Sequence, residues 1–435
     1  MARIVPIRAW RYNRDLSQNI DELTSPLFDV ISEKQRRVLY EQPYNSIHLS
    51  VPMRSETAQQ AHQTLDQWKA EGILELDDLP SIYVYYQYFT LPGDRREYVR
   101  KGFISFVKAT SWDDEDPQIL RHENTMPHSV NDRIEVLEET QLNVSPTHGL
   151  YFDKDFELEK YMDECVTNPI YSTEDYQGVR DVLGVIHDRS VIEKFIAKLG
   201  PQKIILADGH HRYESSMLYR ERRKAQNPEH TGNESYNFHL MYLTNGEADD
   251  LRILPTHRLI SGIEGFDQEV FMQKLSEYFI IKPVDNPNDI NEIILGKKWA
   301  FGLLFGDEAI KVRLKPEVHR ELSWQFPDAI KDLDLTVMHY FIIEKGLGIA
   351  GKDQRSSRNI TFERNFTNCL SATMNGSAQF AIVTQDISME DVQKVCYTGY
   401  TLPQKSTYFY PKVICGYLFA SIKQDEFELP FDIGL

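Results

Sequence analysis

Two kinds of hydrophobic spacing occur within the first hundred residues. Between positions 57 and 69, apolar residues recur every three or four positions, which is typical of one face of an amphipathic helix. These residues are Ala58, Ala61, Leu65 and Trp68. The segments SIYVYYQYFT (81–90) and EYVRKGFISFV (97–107) are rich in aromatic and β-branched residues and flank the turn-forming LPGDRR, which predicts a hairpin. The chain therefore begins as mixed α and β structure.

Helices and strands continue to alternate downstream. The segment 129–141 (SVNDRIEVLEETQ) predicts a helix with Asn131 or Asp132 as its N-cap. Further segments predict a helix at 268–278, a strand pair at 299–314, a helix at 335–344 and a strand-rich end, KVICGYLFASI (412–422). No period of about 20 to 50 residues repeats. The sequence predicts an α+β or mixed α/β protein with at least two lobes.

Polar residues crowd the start of one predicted helix, in KIILADGHHRYESSMLYRERRK (203–224). Residues 203–207 predict a short buried strand, and the apolar face of the following helix carries Tyr213, Met217 and Leu218. Gly209 permits a tight turn between the two. The first backbone N–H groups of a helix, together with its positive dipole end, bind anions readily. Phosphate is therefore the expected ligand of this turn.

The side chains at this turn admit two interpretations. His210, His211 and Arg212 add donors, and a guanidinium can grip phosphate oxygens in pairs. Asp208 can either cap the helix or hold a Mg²⁺ that bridges phosphates. Adjacent histidines on a helix point in different directions, which argues against a zinc site. The structural alternative is an N-cap aspartate beside partly exposed histidines, but four polar groups at one strand end favour a binding site.

Composition and charge narrow the classes of function. Acidic residues outnumber basic residues by 66 to 48, giving a net charge of −18, which repels nucleic acid. The four cysteines form no Cys-x-x-Cys pair, so reduced thiols are expected. No apolar run reaches the roughly 18 residues of a membrane helix, and arginines interrupt any signal-type segment near residue 1. We expect a soluble cytoplasmic protein that binds small molecules, and a homo-oligomer is compatible with the sequence.

Five motifs resemble one family. They are ADGHHRYE (207–214), HENT (122–125), NDR (131–133), PTHR (255–258) and LPQKSTYFYPK (402–412). In this set the chain resembles the family known as domain of unknown function 1015. That family in turn resembles the ADP-dependent free serine kinase of archaea, whose fold is related to ParB and sulfiredoxin. This chain differs from the kinase by about a hundred extra N-terminal residues and by Gln404.

The resemblance implies a fold and a set of roles. A ParB/sulfiredoxin-like nucleotide-binding core would span 101–260, between a mixed α/β region at 1–100 and an α/β region at 261–435 that completes the site. ATP or ADP would bind through its phosphates, with Mg²⁺ on Asp208. The implied phosphate-binding residues are Asp208, Gly209, His210, His211 and Arg212. The implied catalytic residues are Glu123 as the base, His211 and Lys405; the implied substrate contacts are Lys405, Ser406, Thr407, His257 and Arg258.

Each of these residues has a structural interpretation as well. Glu123 lies in an acidic stretch and can be a solvated surface residue, and residues 405–407 can be a surface turn. A lone imidazole such as His257 is usually a satisfied structural group. Asp29 either reaches the site or caps a helix near Ser32.

Three functions follow as hypotheses. The first is a phosphotransferase for a small hydroxylated metabolite such as free serine. The second is a non-enzymatic, ParB-like nucleotide-binding regulator. The third is a DNA-binding protein with a basic surface at 220–224, which the net charge disfavours. The alternative interpretation of residues 220–224 is the solvated face of a helix.

Overall fold

The structure, a computed structural model, describes residues 2–28, 30–51, 58–91, 94–125, 127–175, 177–402 and 405–429. Within these residues helices and strands alternate along the chain, which confirms the mixed α/β class. Asp29 lies outside the described residues, as do Thr57 and Gln404. None of the helices within the described ranges combines the length and apolar character that a bilayer crossing needs.

The strands are β1 (Ile4–Val5), β2 (Ala9–Tyr12), β3 (Leu74–Leu76), β4 (Ile82–Phe89), β5 (Tyr98–Lys108), β6 (Ile119–Leu120), β7 (Leu142–Asn143), β8 (Thr147–Tyr151), β9 (Tyr171–Glu174), β10 (Arg180–Ile186), β11 (Ile204–Asp208), β12 (Phe238–Asn245), β13 (Arg252–Ile253), β14 (His257–Ile260), β15 (Phe279–Val284), β16 (Ala300–Phe305), β17 (Glu308–Leu314), β18 (Ile360–Glu363), β19 (Phe380–Val383), β20 (Phe409–Tyr410) and β21 (Phe419–Ser421).

The α-helices are α1 (Ile20–Leu23), α2 (Glu33–Tyr40), α3 (Ile47–Ser50), α4 (Ala58–Ala70), α5 (Pro127–Thr140), α6 (Glu159–Cys165), α7 (Arg189–Leu199), α8 (His210–Gln226), α9 (Gln268–Tyr278), α10 (Ile290–Ile294), α11 (Asp328–Lys331), α12 (Asp334–Val337), α13 (Gly351–Gln354), α14 (Phe366–Met374) and α15 (Met389–Thr398). A π-helix at Met338–Gly346 continues α12. Short 3-10 helices lie at Leu16–Asn19, Ser235–Asn237, Pro287–Asp289 and Pro316–Glu321.

The chain forms two compact units, and each unit is assembled from more than one segment of the sequence. Unit 1 comprises Met1–Arg121, Thr125–Leu251 and Pro411–Leu435, and unit 2 comprises His122–Asn124 and Arg252–Tyr410. These units differ from the three consecutive regions predicted from the sequence, because strands from either side of residue 100 pair with each other and residues after 410 pack in unit 1. The ParB/sulfiredoxin-like assignment of 101–260 stays a prediction.

Unit 1 is built on a nine-stranded mixed sheet with the order β6-β11-β8-β12-β5-β4-β10-β9, to which β1 adds by pairing with β5. The β11–β6 and β12–β8 pairs are parallel and the others are antiparallel. A second sheet in unit 1 has the order β3-β2-β21-β7. In unit 2, a six-stranded antiparallel sheet has the order β15-β17-β16-β19-β14-β18, and β13 pairs with β20.

The aromatic strand β4 is buried on both of its faces. Successive side chains alternate between two hydrophobic clusters: Tyr83 and Tyr85 join one, and Ile82, Val84 and Tyr86 join the other. This alternation follows from the two-residue repeat of a strand. It explains why the segment reads as a continuous apolar run and not as alternating apolar and polar residues.

Most predicted elements are confirmed, and three local predictions were wrong. Helix α5 begins at Pro127, so Asn131 and Asp132 lie inside it and do not cap it; proline suits a first helical position because its missing N–H needs no partner there. The cap of α2 is not the predicted Asp29. Ser32 is the N-cap of this helix and forms a capping box with Gln35. The segment 412–422 forms only the three-residue strand β21.

A charged group is enclosed in the core of unit 1. Asp181 on β10 is fully buried, and its Oδ1 accepts hydrogen bonds from the Tyr85 hydroxyl (2.5 Å) and from Nε2 of Gln87 (2.8 Å). Its Oδ2 has no partner among the described residues. Burial raises the pKa of Asp181 to about 7, although the hydrogen bonds from Tyr85 and Gln87 oppose the rise.

The burial of Asp181 makes a contribution to the stability that falls as the pH rises. An unfolded aspartate has a pKa of about 3.9, so between about pH 4 and pH 7 the folded state binds more protons than the unfolded state. The contribution of Asp181 to the free energy of unfolding should therefore drop over that interval, by on the order of 2 to 4 kcal/mol. Buried histidines such as His239 and His257, whose pKa values burial lowers, change the stability in the opposite sense over part of the same interval. Asp181→Asn keeps an oxygen for Tyr85 and Gln87 and removes this drop. The free energy of unfolding is measured with urea at pH 5, 6, 7 and 8. The value for the variant minus the value for the wild type should increase with pH until about pH 7.

The matched control is Asp78→Asn, at an exposed aspartate. The stability difference between this control and the wild type should not change with pH over the same range. A difference in stability between the wild type and Asp181→Asn that stays constant from pH 5 to pH 7 would contradict the prediction.

Candidate functional site

The turn 208–212 has the strand-to-helix form expected from the sequence. Strand β11 ends at Asp208, Gly209 adopts φ 88°, and α8 begins at His210. A Cβ atom at Gly209 would lie 2.7 Å from Cγ2 of Thr147 and 2.9 Å from Nη2 of Arg212. Both the left-handed backbone and this close approach exclude a side chain. Glycine is therefore required for the turn.

Asp208 lies between two cations. Nζ of Lys412 donates to Oδ1 of Asp208, and Nη2 of Arg212 lies 3.3 Å from Oδ2. Burial alone would raise the pKa of Asp208, but the charges of Lys412 and Arg212 outweigh it and hold the pKa well below its usual value. Asp208 is consequently ionised at all ordinary pH. It does not cap α8, whose N-cap is Gly209 without a side-chain cap.

Arg212 is largely committed to contacts within unit 1. Nη1 donates to Oγ of Ser145 (3.0 Å) and to the carbonyl oxygen of Pro146 (2.6 Å), while Nη2 serves Asp208. The side chain is only 9% exposed. Both Nη atoms therefore contact residues of the protein, and the predicted role of Arg212 in binding phosphate stays a prediction.

The two histidines of the turn differ in burial. His210 is buried, with 7% exposure, whereas His211 is partly exposed. They occupy the first two positions of α8, where consecutive side chains point in different directions. Of the pair, His211 is the one that a solvent-borne ligand can reach.

Two residues of this cluster were missed by the sequence analysis. Lys412 closes the LPQKSTYFYPK motif, and its carbonyl oxygen accepts a hydrogen bond from Nε2 of Gln87 (3.0 Å). His148 on β8 pairs through Nε2 with Oγ1 of Thr244 (2.7 Å). Burial, reinforced by the charge of Arg100, lowers the pKa of His148 well below its usual value. The only sequence signal for Lys412 was its place in the motif.

In unit 2, Glu123 is brought together with two of its predicted partners. Its Oε1 accepts hydrogen bonds from the backbone N–H of Ser406 (3.0 Å), the backbone N–H of Thr407 (3.1 Å) and Oγ1 of Thr407 (3.1 Å). The adjacent His122, which is fully buried, pairs with Oγ1 of Thr407 at 2.7 Å. Glu123 is therefore no freely solvated surface residue. Lys405 is exposed and adopts φ 58°, which is uncommon outside glycine.

The PTHR residues lie inside unit 2. Nδ1 of His257 accepts a hydrogen bond from the backbone N–H of Thr384 (3.2 Å), and burial lowers the pKa of His257 to about 4. Arg258 has no exposed surface; it donates to the carbonyl oxygen of Thr256 and lies 3.3 Å from Nε2 of His339. Burial lowers the pKa of Arg258 to about 9. His257 is thus a neutral, hydrogen-bonded group near neutral pH, in agreement with its structural interpretation.

The chemistry available differs between the units. Unit 1 offers the N-terminus of α8 together with Lys412 and the ionised carboxylate of Asp208. A helix N-terminus and a lysine favour an anion, and a carboxylate favours a cation that accompanies it. Unit 2 offers a carboxylate that is oriented by three donors beside a serine and a threonine. Such a carboxylate can orient or deprotonate a hydroxyl group.

Comparisons with known proteins give one family and several solved structures. The family model described as "Protein of unknown function (DUF1015)" matches residues 4–336. A comparison with curated proteins finds no match. Among solved structures, a variant of free serine kinase in complex with AMP is similar at 11% identity and TM-score 0.37, covering 71% of this chain and 90% of that chain.

Two further structures are similar at the same level. A free serine kinase variant in complex with ADP shares 10% identity at TM-score 0.36, over 71% of this chain and 90% of that chain. A conserved hypothetical protein from Pyrococcus furiosus shares 11% identity at TM-score 0.35, over 71% of this chain and 94% of that chain. These scores fall below 0.5, so the likeness says nothing about the activity of this chain. The family model, in contrast, spans well over half of the sequence, and the chain therefore belongs to the DUF1015 family of proteins of unknown function.

Proposed function

We propose that the protein is a nucleotide-dependent phosphotransferase that acts on a small hydroxylated metabolite such as free serine. The observation that carries the proposal is the pairing of Asp208 with Lys412 at the first turn of α8. The resemblance of the five sequence motifs to a kinase-related family supports the same assignment.

The nucleotide-binding role falls to unit 1. The first turn of a helix directs N–H groups away from the helix, and its dipole favours a negative ligand. Gly209 supplies the left-handed turn that begins the helix, and Lys412 adds a positive charge. The phosphates of ATP or ADP would bind at the turn, with His211 as the accessible side-chain donor. Arg212 supports the turn from within.

Mg²⁺ fits this proposal only as a companion of the nucleotide. Oδ1 of Asp208 is paired with Lys412 and Oδ2 with Arg212. A single carboxylate that already balances two cations does not provide a resident site, because Mg²⁺ needs several oxygen ligands. When bound with phosphates, the ion would neutralise part of their charge.

The acceptor role falls to unit 2. Oε1 of Glu123 is held by residues 406–407, which leaves Oε2 to take the proton of the attacking hydroxyl. In the reaction the acceptor oxygen forms a bond to the terminal phosphorus, the bond from that phosphorus to the nucleotide breaks, and the proton passes to Glu123. Lys405, Ser406 and Thr407 would contact the substrate, while the buried Arg258 would act on Glu123 through its charge.

A nucleotide-binding regulator without catalytic activity is the second candidate. The observation in its favour is that Glu123 already holds residues 406–407 in place through three hydrogen bonds. A carboxylate with that structural task does not need a catalytic one. The two candidates share nucleotide binding and differ in product formation.

The nucleotide-binding role of Lys412 can be tested by substitution. The substitution Lys412→Met keeps most of the side-chain stem and removes the charge, so the affinity for ADP and ATP should fall about tenfold or more, as expected for a lost charge-assisted hydrogen bond. Isothermal titration calorimetry with each nucleotide measures the change.

The matched control is Lys194→Met, at an exposed lysine of α7, which should bind both nucleotides as the wild type does. Circular dichroism should show that both variants fold. A wild-type protein that binds neither nucleotide would remove the whole proposal, and an unchanged affinity in Lys412→Met would remove Lys412 from the site.

A further prediction concerns Glu123. The amide oxygen of Glu123→Gln can still accept the hydrogen bonds of residues 406–407, but the residue can no longer take a proton. Product formation should fall by about 10²-fold to 10⁴-fold, while nucleotide affinity should stay within about twofold. Mass spectrometry of reactions with a panel of hydroxylated amino acids and metabolites detects the product.

Glu264→Gln, at an exposed glutamate of unit 2, should match the wild type in both assays. Wild-type rates in Glu123→Gln would show that Glu123 is not the base. A wild-type protein that binds nucleotide but forms no product across the panel would favour the regulator.

A further inference from the structure

His122 belongs to the short segment 122–124, which is part of unit 2 and is joined there to residues 401–407. The backbone N–H of Leu402 donates to the carbonyl oxygen of His122 (2.7 Å). The side chain of His122 is fully buried, and the centre of its ring lies 6.1 Å from that of Phe409, edge to face. The imidazole is therefore enclosed by protein and does not meet a ligand that arrives from solvent.

A chain of hydrogen bonds runs from this imidazole to the carboxylate of Glu123. Nε2 of His122 lies 2.7 Å from Oγ1 of Thr407, and the same oxygen lies 3.1 Å from Oε1 of Glu123. The imidazole and the carboxylate do not bond directly, because Nε2 and Oε1 are 4.0 Å apart. Oε1 also accepts the backbone N–H groups of Ser406 and Thr407. The hydrogen bonds that Glu123 accepts from these residues thus end on one oxygen.

The single hydroxyl proton of Thr407 fixes the direction of this chain. An ionised carboxylate only accepts hydrogen bonds, so the bond from Thr407 to Glu123 uses that proton. Oγ1 then has only lone pairs to offer to His122, and Nε2 must carry a proton. In the opposite direction, with Nε2 as the acceptor, two oxygen acceptors would lie 3.1 Å apart without a proton between them. That arrangement is repulsive.

We infer that His122 is a positioning residue for Glu123, because its Nε2–H holds the Thr407 hydroxyl in the orientation that donates to Oε1. The inference rests on the proposed phosphotransferase, in which Oε2 of Glu123 takes the proton of the acceptor. A general base acts only when it is held within hydrogen-bond reach of the proton it removes. Without the donor of His122, the Thr407 hydroxyl is free to rotate away, and one of the three bonds that orient the carboxylate is lost.

The direction of the hydrogen bonds can be measured without an assay of activity. Nuclear magnetic resonance of the full chain, isotopically labelled in its histidines, shows which ring nitrogens carry protons. The signal of His122 is identified by its loss in His122→Phe, or in His122→Gln if phenylalanine prevents folding. We expect a protonated Nε2 whose proton exchanges slowly with solvent, because the residue is buried. Thr407→Val removes the acceptor of this proton and should shift the Nε2 signal, whereas Thr407→Ser should keep it.

The positioning role predicts a coupled loss of turnover. His122→Phe and Thr407→Val should each lower kcat about five- to tenfold, the effect of one hydrogen bond, while nucleotide affinity stays within about twofold. The double variant should be no slower than Thr407→Val alone, because both changes break the same chain. His122→Gln, whose amide can donate to Oγ1, should recover part of the loss. Losses that multiply in the double variant would show two independent structural effects and would overturn the positioning role.

The matched control is His187→Phe, at an exposed histidine of unit 1, which should match the wild type in turnover and in nucleotide affinity. A wild type that forms product but has no proton on Nε2 of His122 would overturn the inference and leave the phosphotransferase standing. A wild type that has this proton but forms no product would remove the phosphotransferase and the positioning role with it.

Discussion

The charge balance at Asp208 is the constraint on which the turn 208–212 of unit 1 depends. Its carboxylate ties the end of β11, the first turn of α8 and the segment around Lys412 to one point, although Lys412 lies 204 residues further along the chain. Ions lose hydration when they are buried, and only close partners repay that loss. Removing any one of the three groups would leave an uncompensated charge, so the three elements hold a common geometry.

Glu123 does in unit 2 what Asp208 does in unit 1. It binds the backbone of residues 406–407 across 283 and 284 residues of sequence. The motif LPQKSTYFYPK is thereby held at two places by two carboxylates, and the boundary between the units falls inside it, after Tyr410. One motif thus contributes residues to two units.

Burial changes the meaning of several charged residues. Arg212 and Arg258 are surrounded by protein, and their Nη atoms serve carbonyl oxygens, a carboxylate and an imidazole. His239 and His257 are kept neutral by burial. In water these side chains would be free to bind a ligand directly. In the folded protein they are held by hydrogen bonds to neighbouring residues of their own units.

The sequence by itself determined the local structure and the candidate turn. Hydrophobic spacing located α4, α9 and the β4–β5 and β16–β17 pairs, because burial of one helix face or of both strand faces leaves a regular pattern in the residues themselves. The strand, glycine and helix of 204–226 were visible for the same reason. Only the tertiary structure decided that Lys412 neutralises Asp208, that the Nη atoms of Arg212 contact residues 145–146, and that residues 122–124 join unit 2. Those facts depend on contacts between residues far apart in the chain and on burial, and neither contact nor burial is encoded in the spacing of neighbouring residues.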